Sequence, residues 1–480
     1  MRKPDNTMKA RLVDGPVGKL LWSLSWPMTM GLFSVIAFNI VDTFYIGRLG
    51  SDQLAAMGFC FPVIFGMGAI AMGLGNGGLS VVSRAIGEGK PDRARRLTTN
   101  TLVLNSLISL FLTFFMYLAH DPIFALLKAP DHIKPYIDQY MHVWYAGLWF
   151  LITPIAGNTL IRANGDALAP SIMMVGAAIL NAIVSPLLIF GLLGFPELGM
   201  PGAAWATIFA RGVIAIVAIW YLGFKNKMME VSWRAVQALP RHVGGIMRYA
   251  LPATMTQMVS PISTAIIVIL LAKYGPEAVA GVTVGTRIES FLMIPFFAFQ
   301  SGISPFVGQN VGAKKPERLG EAEKWIWKFA VLWGLISMVI LTCFGEEIGG
   351  LFSRDPEIIR ITDQYLFFVS LGFVFAGVFH VAGGVFNPLG RPNLGAAIST
   401  TRYLVLYAGL AWLLSSGLIF KSLEGVMGIF VAAAFAWVSA GLLSGILVNR
   451  LLPKCEEDCV SVDVKKTPNL PAMFKDRLAK

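Results

Sequence analysis

Trp26–Gly50 reads WPMTMGLFSVIAFNIVDTFYIGRLG, and 225 residues later Leu251–Gly275 reads LPATMTQMVSPISTAIIVILLAKYG. Each is apolar over about the 20 residues that a helix needs to cross a ~30 Å hydrocarbon layer. They share Pro27/Pro252, Thr29/Thr254, Met30/Met255 and Gly50/Gly275 in one register. Moving outward, the same offset carries Gly77 onto Gly302, and Gly87, Lys90, Pro91 and Arg93 onto Gly312, Lys315, Pro316 and Arg318. It also carries Asp138-Gln139-Tyr140 onto Asp363-Gln364-Tyr365 and Gly165 onto Gly390. A register that survives loops and helices alike marks an internal duplication.

Long apolar stretches recur twelve times, at about 20–46, 54–82, 98–119, 136–157, 169–193, 201–224, 247–272, 278–307, 325–344, 359–386, 394–420 and 425–449. A chain that is 55% hydrophobic and 14% charged cannot cover a water-facing surface. Disorder, a nucleic-acid-binding domain and a disulfide scaffold are excluded with it. Open strands leave backbone groups unsatisfied in lipid, so every stretch is read as a helix. The longest polar interruption, Lys225 to His242, divides the chain in two. The expected fold is therefore an all-α membrane protein of twelve transmembrane helices in two six-helix lobes. Six is even, so both copies enter from the same side and the repeat is parallel. The expected organisation is a tail at 1–16, an N-lobe at 17–224, a linker at 225–245, a C-lobe at 246–450 and a tail at 451–480.

The 39 Lys and Arg exceed the 28 Asp and Glu by 11. Most of the basic residues fall in loops and tails on the side of the N-terminus, which is the positive-inside pattern. That predicts a multi-pass protein of the cytoplasmic (inner) membrane with both termini cytoplasmic. Arg2, Lys3, Lys9 and Arg11 lead into a long apolar stretch with no small-residue cleavage site, so the first helix is read as retained. Cys60 and Cys343 read as small apolar fillers, and Cys455 and Cys459 are too few for a structural zinc.

Acids inside a span cost about 2.5–3.5 kcal/mol at a helix centre, so each one requires a reason. Asp42 stands out, flanked by Phe38, Asn39, Ile40 and Val41 on one side and Thr43, Phe44 and Tyr45 on the other. Two readings are open: it snorkels outward to pair with Arg48, or it lines a cavity and exchanges H⁺ or binds Na⁺. Its counterpart at the fixed offset is Ile267, so the halves have diverged here. Asn181 and Ser185 are four apart, on one helix face, with Asn158, Thr207 and Tyr140 on neighbouring spans. Pro27 is a mechanical reason for the first helix to bend. In the second half Arg287, Glu289, His380 and Arg402 are the intramembrane polar groups, read as structure or as cavity lining. Among five histidines no metal cluster forms, and no P-loop appears. The chain is read as a transporter and not as an enzyme.

The opening helix with Pro27 and Asp42, the loop GEGKPDRA with its copy GAKKPERL, the stretch RANGDALAP, and NAIVSPLLIFG followed by GMPGAAWAT together resemble the multidrug and toxic compound extrusion (MATE) family. The resemblance covers about 17 to 450 and is nearest to the prokaryotic DinF-like branch. It implies a secondary active antiporter for multidrug efflux, exporting amphipathic, often cationic organic compounds against inward H⁺ or Na⁺. It implies no cofactor beyond the coupling ion. Carried over residue by residue, it places ion coupling at Asp42, Asn181 and Thr207, with a possible Na⁺ held by these three; Ser185, at the place of the family's second acid, and Asn39, one turn from Asp42, are expected to join them. Tyr140, Asn158 and Phe38 are expected in the substrate cavity and Pro27 at the hinge. The family's second acid is replaced here by Ser185. The expected partners are small organic substrates and the lipid bilayer, with no nucleic acid, and the protein is expected to be a monomer. The alternatives are a flippase for lipid-linked sugars, with Arg211, Arg287 and Arg402 as the only cationic groups for a phosphate headgroup, and a non-transporting receptor or scaffold.

Overall fold

A computed structural model describes residues 10–230, 232, 235, 237–416 and 425–452. Cys455, Cys459 and nearly all of the C-terminal tail lie outside them. The described residues are helical, with no strand. The first half contains α1 (Val17–Gly47), α2 (Ser51–Gly87), α3 (Pro91–Leu118), α4 (His120–Leu126), α5 (Lys134–Ala146), α6 (Leu148–Ala163), α7 (Leu168–Phe190) and α8 (Met200–Trp220). The second contains α9 (Leu239–Leu271), α10 (Pro276–Gly312), α11 (Pro316–Cys343), α12 (Gly345–Gly350), α13 (Pro356–Leu371), α14 (Phe373–Phe386), α15 (Pro392–Thr400), α16 (Leu410–Ser415) and α17 (Val426–Leu451). A wide-turned i→i+5 stretch, Thr401–Gly409, joins α15 to α16 as one span. α9 starts at Leu239, inside the stretch expected to be linker.

Ten helices are individually long and apolar enough to cross a membrane. An eleventh span is the pair α13–α14, bent by 62° at Gly372. Its copy at the fixed offset is α5–α6, broken at Gly147, which completes twelve. Two of the expected helices, 136–157 and 359–386, are thus each broken in two. The two glycines have nearly the same backbone, φ −89°, ψ 3° at Gly147 and φ −92°, ψ −3° at Gly372. A Cβ at Gly147 would sit 2.3 Å from Ile208 Cδ1, and one at Gly372 would sit 2.7 Å from Trp437 Cβ. Each bend is pressed against a neighbouring span, so a side chain at either position displaces a neighbour. Gly165 and Gly390 share φ +85°, a left-handed turn that glycine adopts without a Cβ penalty.

The lobes meet through a duplicated contact. Gly77 of α2 packs on Ala250 of α9, and its copy Gly302 of α10 packs on Ser25 of α1, itself the copy of Ala250. Deeper still, a Cβ on Gly87 would lie 2.0 Å from the Gln309 carbonyl oxygen, and one on Gly312 would lie 2.2 Å from that of Arg84. Absent side chains let backbones touch, as helices without a hydrophobic drive between them require. Polar groups close the same end. Arg84 Nε donates to the Pro388 carbonyl (2.6 Å), Gln309 Nε2 to that of Ala163 (2.8 Å), and Lys315 and Arg318 to those of Val13 and Gly15 (both 2.9 Å). These contacts lie at the end carrying the basic loops 87–96 and 312–318. Toward the opposite end the contact loosens, since a Cβ at Gly58, Gly66 or Gly68 of α2 would meet nothing within 4 Å, and we read the space between α1, α2, α9 and α10 there as a cleft.

Candidate functional site

Helix α1 runs unbroken through Pro27, whose ring removes one backbone donor from the helix ladder. Around it Ser25 Oγ donates to the Leu21 carbonyl (2.8 Å) and Thr29 Oγ1 to that of Ser25 (3.2 Å), back-bonds that favour bending. Two ties hold α1 along α7. Ser171 Oγ donates to the Pro27 carbonyl, and Tyr45 OH to that of Ala182 (3.4 Å). The second tie brings the outer turns of α1, with Asp42, to the level of Asn181 and Ser185.

Asp42 is only 4% exposed, and its Oδ1 accepts no hydrogen bond. It forms no ion pair with Arg48, whose guanidinium instead stands over the Phe44 and Phe190 rings. The snorkelling reading is therefore overturned. The charge whose field reaches Asp42 is Arg211 of α8, one turn beyond Thr207. That guanidinium lies 5.5 Å from the centroid of Phe38. Asn181, Ser185 and Thr207 are all buried, and Asn181 Nδ2 donates to Thr207 Oγ1 at 3.3 Å. Asn181 Oδ1 and Ser185 Oγ have no partner. Three polar oxygens on two tied helices are thus buried with unused lone pairs. A buried polar atom without a partner costs about 1–3 kcal/mol, and a proton or a hard cation with oxygen ligands relieves that cost.

Other expected residues fall elsewhere. Asn39 is exposed and its amide donates to the Val35 carbonyl of its own helix (3.0 Å), so it faces away from the carboxylate of Asp42. Tyr140 is 1% exposed and Phe38 is buried, so both support the pocket from within the N-lobe and neither lines an open cavity. Asn158, with an unpartnered Oδ1, sits five residues from the basic end of α6, at the far end from Asp42. Arg211 was missed as a site residue, although its i+4 spacing from Thr207 was a legible signal.

The C-lobe encloses its own acid. Glu289 accepts from Tyr365 OH (2.7 Å) and Trp437 Nε1 (3.2 Å), and Tyr365 is the copy of Tyr140. Arg402, placed by the wide-turned stretch, lies 3.3 Å from the Trp437 ring centroid and 4.0 Å from that of Tyr403. Among the described residues no group of three His, Cys, Asp or Glu has the geometry to hold a metal.

The MatE family model matches the chain twice, at residues 27–187 and 252–413, which are the two halves of the duplication. The chain is 31% identical over 440 residues to the FAD transporter of Shewanella oneidensis, covering 92% of this chain and 96% of that one. It is 22% identical over 461 residues to the multidrug export protein MepA of Staphylococcus haemolyticus, covering 94% and 97%. Among solved structures, the Vibrio cholerae MATE transporter VcmN in the bent form superimposes with a TM-score of 0.82 at 28% identity, covering 94% of this chain and 99% of that one. With two family matches in the register of its own repeat, a first helix that carries both a proline and a buried acid, and relatives that match more than nine-tenths of its length, this chain belongs to the MATE family of membrane transporters.

Proposed function

We propose that this protein is an ion-coupled secondary exporter of amphipathic organic compounds in which Asp42 carries the coupling ion. The observation that supports it is the set of unpartnered oxygens, Asp42 Oδ1, Asn181 Oδ1 and Ser185 Oγ, buried where α1 is tied to α7. Protonation of Asp42, or Na⁺ binding beside it, removes an uncompensated buried charge and lets α1 bend at Pro27, so that the two lobes rock about their glycine contacts. Residues 17–224 and 246–450 are the moving lobes. The basic end and both tails face the cytoplasm in this reading. The test is export in proteoliposomes under separately imposed pH and Na⁺ gradients. An Asp42→Asn protein that still drives uphill, ion-dependent flux removes the residue from coupling. A phosphorylated flavin is a second reading of the cargo, favoured by the 31% identity to the Shewanella FAD transporter.

A further inference from the structure

The four helices that wall the cleft carry few charges. Lys19, Arg84, Arg241 and Arg248 belong to the basic end, and Asp52 and Glu277 stand in the first turns at the opposite rim. Within the depth of the membrane that leaves Asp42, Arg287 and Glu289. Asp42 is buried in the N-lobe, and Glu289 is occupied by Tyr365 and Trp437. Arg287 is exposed and, among the described residues, has no hydrogen bond, ion pair or ring contact.

The face that carries Arg287 is the cleft face. On the other side of α10, Gly281 and Gly285 pack onto Ile361 and Tyr365 of α13. Glu289, two residues from Arg287, therefore points away from it and does not neutralise it. Thr283 and Ser290 are exposed beside Arg287, their hydroxyls donating to the Val279 and Thr286 carbonyls of the same helix, so the charge in this stripe is Arg287 alone. Helices α1 and α10 run antiparallel and touch at Ser25 and Gly302. In that register Arg287 lies level with Asn39 and Ile40, all three exposed, so α1 and α10 do not cover one another at this level. Phe291, one turn below Arg287, and Phe297 each expose 37% of their surface. The wall thus presents a free guanidinium above aromatic surface.

We propose that the outer cleft is a recognition site for amphipathic organic anions, with Arg287 binding a phosphate-type group while the apolar body lies along Phe291 and Phe297. A guanidinium presents two parallel donors that match phosphate oxygens, and in a cleft with no competing exposed acid at its depth the ion pair is weakly screened. This deepens the exporter reading and rests on the cleft being the cargo path. It also gives Arg287 a reason to remain charged at membrane depth.

The test uses the full-length protein in phosphatidylcholine nanodiscs, with no gradient, so that binding is read apart from ion coupling. The probes are riboflavin, FMN and FAD, which share a ring system and differ in phosphate, and ethidium as a planar cation. The expected order of affinity is FAD, then FMN, then riboflavin. Arg287→Gln lowers FAD affinity by about tenfold or more and raises ethidium affinity, whereas Arg287→Lys keeps most of the preference for phosphate. Adding phosphatidylglycerol separates the sources of phosphate. Competition with FAD that disappears in Arg287→Gln identifies a lipid headgroup as an occupant, and absence of competition identifies a soluble anion. Equal binding of riboflavin and FAD by the parent protein, or FAD affinity unchanged in a folded Arg287→Gln, overturns the proposal. Loss of ion-driven flux with this selectivity intact would count against the exporter reading alone.

Discussion

The two lobes descend from one sequence, yet they treat their acids in opposite ways. In the N-lobe, Asp42 is buried with an oxygen that nothing donates to, and Asn181 and Ser185, on the helix tied to α1, hold idle oxygens of their own. In the C-lobe, Glu289 has a tyrosine and a tryptophan donating to its two oxygens, and Arg402 stands over the ring of that same tryptophan. A satisfied carboxylate has no reason to change its charge state, whereas an unsatisfied one is poised to do so. Duplication supplied the scaffold twice, including Tyr140 and Tyr365 in equivalent places, and divergence left one copy's acid without donors to its Oδ1 while the other's is held by two.

The strongest way to break this comparison is to neutralise each acid in turn. Asp42→Asn is expected to abolish gradient-driven export, a fall of about a hundredfold or more. Glu289→Gln is expected to retain it within about threefold, since an amide oxygen still accepts from Tyr365. Proteoliposome flux decides, and equal losses in both variants would erase the distinction. Next in size, Gly87→Ala and Gly312→Ala each place a methyl group on a backbone carbonyl of the other lobe. Each is expected to raise labelling of a cysteine placed at the basic end by severalfold, because the seal cannot close. Equal labelling would show that the glycine contact is not the seal.

Ser185→Asp sharpens the comparison on the N-lobe side. Two nearby carboxylates share a proton more readily than one holds it alone, so proton-driven export should persist to a pH higher by about one unit. A pH profile of flux, unmoved by the substitution, would separate Ser185 from Asp42 functionally. The smallest effect is expected of Ser171→Ala, which frees the Pro27 carbonyl. It should cost about 1 kcal/mol or less and lower the thermal midpoint by about 1 °C or less, with faster transport if α1 bending limits the cycle.

The spans, their number and their pairing were all legible, because lipid forces backbone satisfaction within each segment and the duplication repeats its signals at 225 residues. The matching breaks at Gly147 and Gly372 were not seen, since a glycine inside an apolar run signals close packing without saying what approaches it. Asp42 stood out as a costly charge, and Asn181, Ser185 and Thr207 followed from helical spacing and family resemblance. Asn39 and Asn158 did not join them, because helical phase places a side chain on a face without saying which neighbour occupies that face.

Hydrophobicity, charge bias and internal repetition by themselves determined a twelve-span, two-lobe membrane protein with one exceptional acid. Which polar atoms lack partners, that Arg48 turns to aromatic rings and leaves Asp42 alone, and that Arg287 is exposed while Glu289 two residues on is enclosed, were decided only by tertiary structure. The physical reason is that the cost of a charge in a membrane depends on what lies within a few ångströms of it, and those neighbours come from helices far apart in the chain.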